Sequence, residues 1–183
     1  MSSCRVRRQH PCVALVPWID VHLPTRGQPR GHILVLLRRL SPAPGAQRLV
    51  EHLKAHGVPM IVATSSHRRH FDLKAQRHAA FFANMEAIVT GDDPEVKRGK
   101  PSPDIFLVAA GRFRDPPTDP SRVLVFEDAP NGVTAARAAG MPVVMVPDPR
   151  VSAEDKQAAT QVLDSLPDFD PAAWGLPPFP KST

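Results

Sequence analysis

The stretch VPMIVATSS, residues 58–66, decides the fold, because a buried strand and a polar loop meet in it. Val58 to Ala63 is a short apolar run rich in β-branched residues, which is typical of a buried strand. Thr64-Ser65-Ser66 then place three hydroxyl groups at its carboxyl end. Before it, apolar residues recur with helical periodicity from Pro44 to His56. The stretch therefore predicts a helix, a strand and a polar loop, in that order.

The same alternation continues towards the carboxyl terminus. Near-continuous apolar strands separated by helices are typical of a parallel sheet covered on both faces, so we predict a doubly wound α/β fold. We expect the proline-rich tail after Trp174 to be loose. The predicted elements are a helix at His67–Ala83, a strand at Ala87–Val89, a helix at Asp104–Phe113, a strand at Val123–Phe126, a helix at Pro130–Gly140, a strand at Pro142–Val146 and a possible edge strand at Gln161–Leu163.

The basic charge of the chain is concentrated in its first 42 residues. The chain has 23 lysines and arginines against 18 acids, and residues 1–42 hold seven of the arginines and a single acid, Asp20. Residues 43–183 are therefore nearly neutral. We predict two parts, a poorly ordered Arg/Pro-rich leader at 1–42 and a folded core at 43–183. The arginine count alone is a weak indication of a nucleic-acid binder, since no recognised motif accompanies it.

Location is predicted from the cysteines and the apolar runs. The two cysteines, Cys4 and Cys12, form no disulfide or zinc pattern, which favours a reducing, cytoplasmic setting. The apolar runs Val13–Ile19 and Ile33–Leu37 are far shorter than the roughly 20 residues of a membrane span. The acid-poor start also fits a mitochondrial transit peptide, although Pro11 and the missing amphipathic period disfavour that alternative.

Three polar groups follow strands or a loop in the predicted sheet: Thr64, Lys100 and the pair Glu127-Asp128. Ligands of such sheets bind at the carboxyl ends of the strands, so we expect these groups to converge. Hydroxyl and ammonium groups suit phosphate, and carboxylates suit Mg²⁺. Each has a plainer interpretation: the hydroxyl as a helix cap, Lys100 as solvated surface, and the acids as a helix start.

The motifs VATSS (residues 62–66), GKPSPDIF (99–106) and VFEDAPNGV (125–133) resemble the second to fourth motifs of haloacid dehalogenase-like hydrolases. The resemblance covers about Pro44 to Pro149. GDDPEV before the lysine and MPVVMVPD after the last helix are similar to the branch of pseudouridine-5′-phosphatases. The resemblance implies a Rossmann-like core and a magnesium-dependent phosphomonoesterase of nucleotide metabolism. The expected substrate is a small phosphorylated nucleoside, pseudouridine 5′-phosphate.

The resemblance also implies roles for individual residues. Thr64 and Lys100 would be catalytic and, with Ser65, would bind the phosphate group. Asp128 and Glu127 would hold Mg²⁺, and Asn131 would support them. In the family an aspartate at the end of the first strand attacks phosphorus, within a D-x-D-G motif.

That D-x-D-G motif does not occur in the sequence, and no helical cap is recognisable before the second motif. The nearest imitation is Asp20, which ends an apolar run as Asp-x-His, and we regard it as a weak candidate nucleophile. The family's first strand lies centrally in the sheet, so we predict a replacement strand from Val13–Ile19 or Ile33–Leu37. We therefore expect a truncated core that is inactive as written, the alternative being a non-catalytic member that binds phosphate or a protein partner.

Overall fold

The computed structural model describes residues 12–15 and 44–180. Six strands and five helices occur in these ranges. The strands are β1 (Cys12–Leu15), β2 (Met60–Thr64), β3 (Ala87–Thr90), β4 (Val123–Glu127), β5 (Val143–Met145) and β6 (Gln161–Val162). The helices are α1 (Ala46–Ala55), α2 (Arg68–Ala75), α3 (Ala79–Phe82), α4 (Asp104–Gly111) and α5 (Pro130–Ala138). Short 3₁₀ turns lie at Gln76–His78, Pro120–Arg122, Leu166–Asp168 and Pro171–Trp174.

The six strands form one parallel sheet in the order β3-β2-β1-β4-β5-β6. The order reverses direction at β1, because the chain builds outwards on one side through β2 and β3 and on the other through β4 to β6. This arrangement confirms the predicted doubly wound α/β fold. It also places the ends of β2 and β4 on either side of the end of β1.

The middle of the sheet comes from the leader. Val13 pairs with Met60 of β2 and with Leu124 of β4, and its N–H donates to the carbonyl of Pro59 at 3.0 Å. This strand confirms, over residues 13–15, the prediction that the run Val13–Ile19 contributes a replacement for the family's first strand. The rest of that run, residues 16–19, lies outside the described residues. The other predicted source, Ile33–Leu37, lies outside the described residues. The boundary at residue 42 stays a prediction, although these four residues before it belong to the sheet.

Two hydrophobic cores cover the two faces of the sheet. Successive strand residues point to opposite faces, so Cys12 joins one core and Val13 the other. The first core packs α4 and α5 on the sheet through Phe106 and Val133. The second packs α1 and α2 through residues such as Leu53. The short strand β1 therefore contributes apolar surface to both cores.

The single helix predicted at His67–Ala83 is wrong, because a 3₁₀ turn at Gln76–His78 separates α2 from α3. Beyond the break, Phe81 and Phe82 of α3 both lie in the second core, where each is 8% exposed. Phe82 meets Phe71 of α2 edge to face, with 4.9 Å between ring centroids. Burial of two aromatic rings offsets the loss of regular helical hydrogen bonds.

The tail after Trp174 is also not loose up to Pro180. Leu176 is 3% exposed in the second core, and the Pro177 carbonyl lies 2.8 Å from His52 Nε2 of α1. The guanidinium carbon of Arg48 lies 4.1 Å above the Phe179 ring centroid. The tail therefore covers the outer side of α1.

Across residues 12–15 and 44–180, no helix has the length and apolar character that a membrane span requires.

Candidate functional site

Lys100 joins the carboxyl ends of β2 and β4. Its Nζ donates to Glu127 Oε1 at 2.5 Å and lies 3.4 Å from the Ala63 carbonyl, one residue before Thr64. The ammonium also lies 4.8 Å from the ring centroid of Phe106 in α4. Lys100 is therefore not a solvated surface residue, since only 8% of its side chain is exposed. The predicted convergence of the three motifs is what the structure shows.

Glu127 is the buried anchor of the site. Its side chain is 1% exposed, and its Oε1 accepts from Lys100. Its Oε2 accepts from the backbone N–H groups of Asp128 and Ala129 at 3.1 and 3.3 Å. A buried carboxylate requires such partners, because an uncompensated charge in the interior is costly. These bonds fix the turn between β4 and α5, on which Asp128 stands.

Gly132 leaves the space that the Glu127 carboxylate fills. A Cβ built on Gly132 would lie 1.9 Å from the carboxyl carbon of Glu127, far inside contact distance. We therefore expect Gly132→Ala to displace Glu127 from its hydrogen bonds and to lower the free energy of unfolding by about 2 kcal/mol. Urea denaturation measures this change.

Gly111 is the matched control for that substitution, because it also lies in a helix and a Cβ added there would meet nothing within 4 Å. Gly111→Ala should raise the free energy of unfolding by about 0.5 kcal/mol through helix propensity. Equal effects at Gly132 and Gly111 would show that Glu127 has room to move.

The loop after β2 is organised by hydroxyl groups. Thr64, 7% exposed, accepts a hydrogen bond from the Ser66 backbone N–H at its Oγ1, at 3.2 Å. None of the three hydroxyls caps the next helix: the Arg68 N–H of α2 donates to Asp92 Oδ1 at 2.8 Å instead. The helix-cap interpretation therefore fails for this loop. Its hydroxyl and amide groups remain at the carboxyl end of β2, where an anion can meet them.

Asp128 is the residue on which a cation would act. Burial, and next to it the charge of Glu127, raises the pKa of Asp128 to about 6. Two neighbouring carboxylates that repel each other fit a divalent cation, which would relieve the repulsion. Asp128 would thus hold Mg²⁺, and the ion would offset charge on phosphate oxygens. Both oxygens of Glu127 already accept from Lys100 and from backbone N–H groups, so its predicted role as a metal ligand stays a prediction. Within the described ranges, no three His, Cys, Asp or Glu side chains are grouped as metal ligands.

The structure gives less support to the other predicted site residues, Ser65, Asn131 and Asp20. Ser65 is exposed, and its backbone packs so closely on Gly91 that a Cβ there would lie 2.5 Å from the Ser65 carbonyl oxygen. Asn131 is exposed in the first turn of α5, and its supporting role stays a prediction. Asp20 lies outside the described residues. The roles assigned to Thr64, Lys100, Glu127 and Asp128 also stay predictions, although the structure brings these residues to one edge.

Two residues near the site were missed by the sequence analysis. Lys74 of α2 is 9% exposed and donates to Ser66 Oγ at 3.0 Å. Gly132 is required by the volume of Glu127. A lysine in a helix normally lies in solvent, so the local pattern gave no signal for Lys74. For Gly132 the available signal was its position five residues after Glu127, at the start of a helix where glycine is otherwise unfavourable.

Comparison with known proteins agrees with this geometry. The family model for haloacid dehalogenase-like hydrolases matches residues 16–140. A (DL)-glycerol-3-phosphatase 2 of Arabidopsis thaliana is 58% identical over 139 residues, which are 76% of this chain and 58% of that protein. A probable pseudouridine-5′-phosphatase of Drosophila melanogaster is 55% identical over 153 residues, 83% of this chain and 66% of that protein. The chain thus spans 58% and 66% of the lengths of these two relatives.

Solved structures share the fold. The crystal structure of CbbY from Rhodobacter sphaeroides in complex with phosphate is 25% identical and superposes with a TM-score of 0.65. The superposition covers 75% of this chain and 61% of that one. The parallel sheet and its flanking helices therefore resemble the fold of that structure.

Proposed function

Because the chain belongs to the haloacid dehalogenase-like hydrolase family, we propose that it binds a phosphate monoester at the Thr64–Lys100–Asp128 edge without forming an aspartyl-phosphate. One observation carries the second half of this proposal. The central position of the sheet is filled by β1, Cys12–Leu15. The residues that follow it in the sequence are Val16, Pro17 and Trp18, none of which carries a carboxylate.

The binding half of the proposal rests on the groups that remain. Thr64 and the backbone amides of its loop are donors for phosphate oxygens, and Lys100 supplies an ammonium group between β2 and β4. Asp128 is the acid that would hold Mg²⁺, because both carboxylate oxygens of Glu127 already accept hydrogen bonds. Positioning and charge compensation of this kind retain affinity for a phosphate ester, whereas removal of a nucleophile from cooperating residues removes nearly all of the rate.

The relatives suggest two substrates to test. One is named a pseudouridine-5′-phosphatase and the other a glycerol-3-phosphatase, at similar identity. Pseudouridine 5′-phosphate and glycerol 3-phosphate share a monoester phosphate and differ in the rest of the molecule. Because the described residues include no cap over the site, we propose recognition of the phosphate group with little selectivity for the alcohol.

Phosphate release is the first test. We expect the purified chain to release no inorganic phosphate above background from either ester, with Mg²⁺ or with EDTA, while both esters bind with Mg²⁺ present. Folded protein should be verified by a cooperative urea transition in the same preparation. Binding of neither ester by folded protein would overturn the proposal.

An active phosphatase is the second candidate, and one observation favours it. Asp20 is the single acid of residues 1–42, and the family match begins at residue 16 and so includes it. Magnesium-dependent release of phosphate that disappears in Asp20→Asn would establish this candidate. It would contradict the proposal that the site binds the ester without hydrolysing it. Release that persists in Asp20→Asn would indicate another acceptor of the phosphoryl group.

Binding through Thr64 gives a quantitative prediction. Thr64→Val keeps the side-chain shape and removes the hydroxyl, so we expect the affinity for either ester to fall about tenfold. Thr134→Val is the control, because Thr134 is exposed on α5. Titration calorimetry in Mg²⁺ gives both dissociation constants. Equal affinities for the two variants would mean that the hydroxyl serves only the loop.

A further inference from the structure

Lys74 is a buried cation without an acidic partner in the part of the chain that the structure describes. It is 9% exposed, and among the described residues no carboxylate lies within ion-pair distance of it. Its one described hydrogen bond is to Ser66 Oγ, at 3.0 Å. Burial lowers the pKa of its ammonium group. Burying an unpaired charge costs free energy, so an anion bound at the loop would stabilise this ammonium group.

Two other cations at this edge are already paired with acids. Lys100 is paired with Glu127 at 2.5 Å, and Arg68 is paired with Asp72 at 2.9 Å. With Asp128 added, the acids at the end of β4 outnumber Lys100. The net charge at the end of β4 is therefore negative and repels a dianionic phosphate group unless a cation binds there. Lys74 supplies positive charge at the end of β2 that no described acid offsets.

Ser66 connects Lys74 to the anion site. Its Oγ accepts from Lys74, its N–H donates to Thr64 Oγ1 at 3.2 Å, and its carbonyl accepts from the Gly91 N–H at 3.0 Å. A hydroxyl that accepts from an ammonium group can still donate its own hydrogen. The Ser66 O–H is then left to point away from Lys74. Ser66 therefore contacts both residues, Lys74 through its hydroxyl and Thr64 through its backbone N–H.

We propose that Lys74 is a positioning residue of the anion site, which orients the Ser66 hydroxyl towards a bound dianionic phosphate group and contributes positive charge to it. This inference rests on the proposed function, because it assumes that phosphate binds at the Thr64 loop. It adds an element outside the motifs identified in the sequence. It also explains why a lysine occupies a buried position in α2.

The test is a double-mutant cycle on the affinity for inorganic phosphate in Mg²⁺. Lys74→Met keeps the length of the side chain without its charge, and Ser66→Ala removes the hydroxyl. Each single variant should bind phosphate about tenfold more weakly than the unmodified chain, and the double variant no more weakly than the weaker single variant. Lys97→Met, at an exposed lysine of the loop after β3, should bind as the unmodified chain does.

Stability separates this role from a structural one. If the role of Lys74 is to bind the anion, its buried charge destabilises the protein when no anion is bound. The urea midpoint of Lys74→Met should then equal or exceed that of the unmodified chain. A lower midpoint would assign Lys74 to the fold and overturn the inference. Unchanged phosphate affinity in Lys74→Met, or additive losses in the cycle, would also overturn it while leaving the proposed function intact. Absence of phosphate binding by the unmodified chain would reject the proposed function itself.

Discussion

Val13→Asp is expected to abolish the cooperative urea transition of the chain. Val13 is fully buried in the central strand, between Met60 and Leu124. The described contacts offer no cation there to pair with an introduced carboxylate. The cost of an unpaired buried charge is of the same order as the whole stability of a domain, about 5–15 kcal/mol. Circular dichroism during urea titration measures the loss.

Two further variants make this result interpretable. Val13→Ala should retain a transition and lower the free energy of unfolding by about 2 kcal/mol, since it removes two buried methyl groups from a packed core. Val162→Asp is the matched control, because Val162 is 40% exposed in the edge strand β6. If Val13→Asp unfolds like Val162→Asp, residues 12–15 do not belong to the sheet in solution and the leader is a separate part.

Lys100→Met should lower the free energy of unfolding by about 3–5 kcal/mol. The substitution leaves Glu127, 1% exposed, without the ammonium group that now lies 2.5 Å from its Oε1. Removal of one partner from a buried ion pair is costly because the other charge stays in the interior. Urea denaturation near neutral pH gives the difference directly.

A double variant that also changes Glu127, the partner of Lys100, tests this explanation. Lys100→Met combined with Glu127→Gln should recover most of the stability, since the amide carries no charge and can still accept from the N–H groups of Asp128 and Ala129. Lys97→Met is the control for loss of a lysine at an exposed position. A loss at Lys100 no larger than that at Lys97 would mean that Glu127 is solvated in the folded protein.

The order of elements and the location of the site were predictable because each strand of the core is a dense apolar run. Val58–Ala63 and Val123–Phe126 are surrounded by helical periodicity, and the polar groups directly follow their ends. Parallel strands bring such ends to one edge whatever the details of packing. The convergence at Lys100 follows from that rule.

Other features depend on contacts that are distant in the sequence. β1 is only four residues long and lies in a segment rich in arginine and proline, so its partners, β2 and β4, decide that it is a strand. The break between α2 and α3 accompanies the burial of Phe81 and Phe82 in the second core. The burial of Lys74 depends on the position of Ser66. The local pattern indicated the apolar run that contains β1, but it gave no signal for the break or for the burial of Lys74.

The placement of β1 has a consequence for the order of events during synthesis. Residues 12–15 leave the ribosome before the other five strands that the structure describes, yet their two neighbours are β2 and, much later, β4. Until β4 has been made, one edge of β1 has no partner, and its N–H and C=O groups are open to pairing with other chains. The two edges of β1 are therefore completed at different times, the one that faces β2 before the one that faces β4.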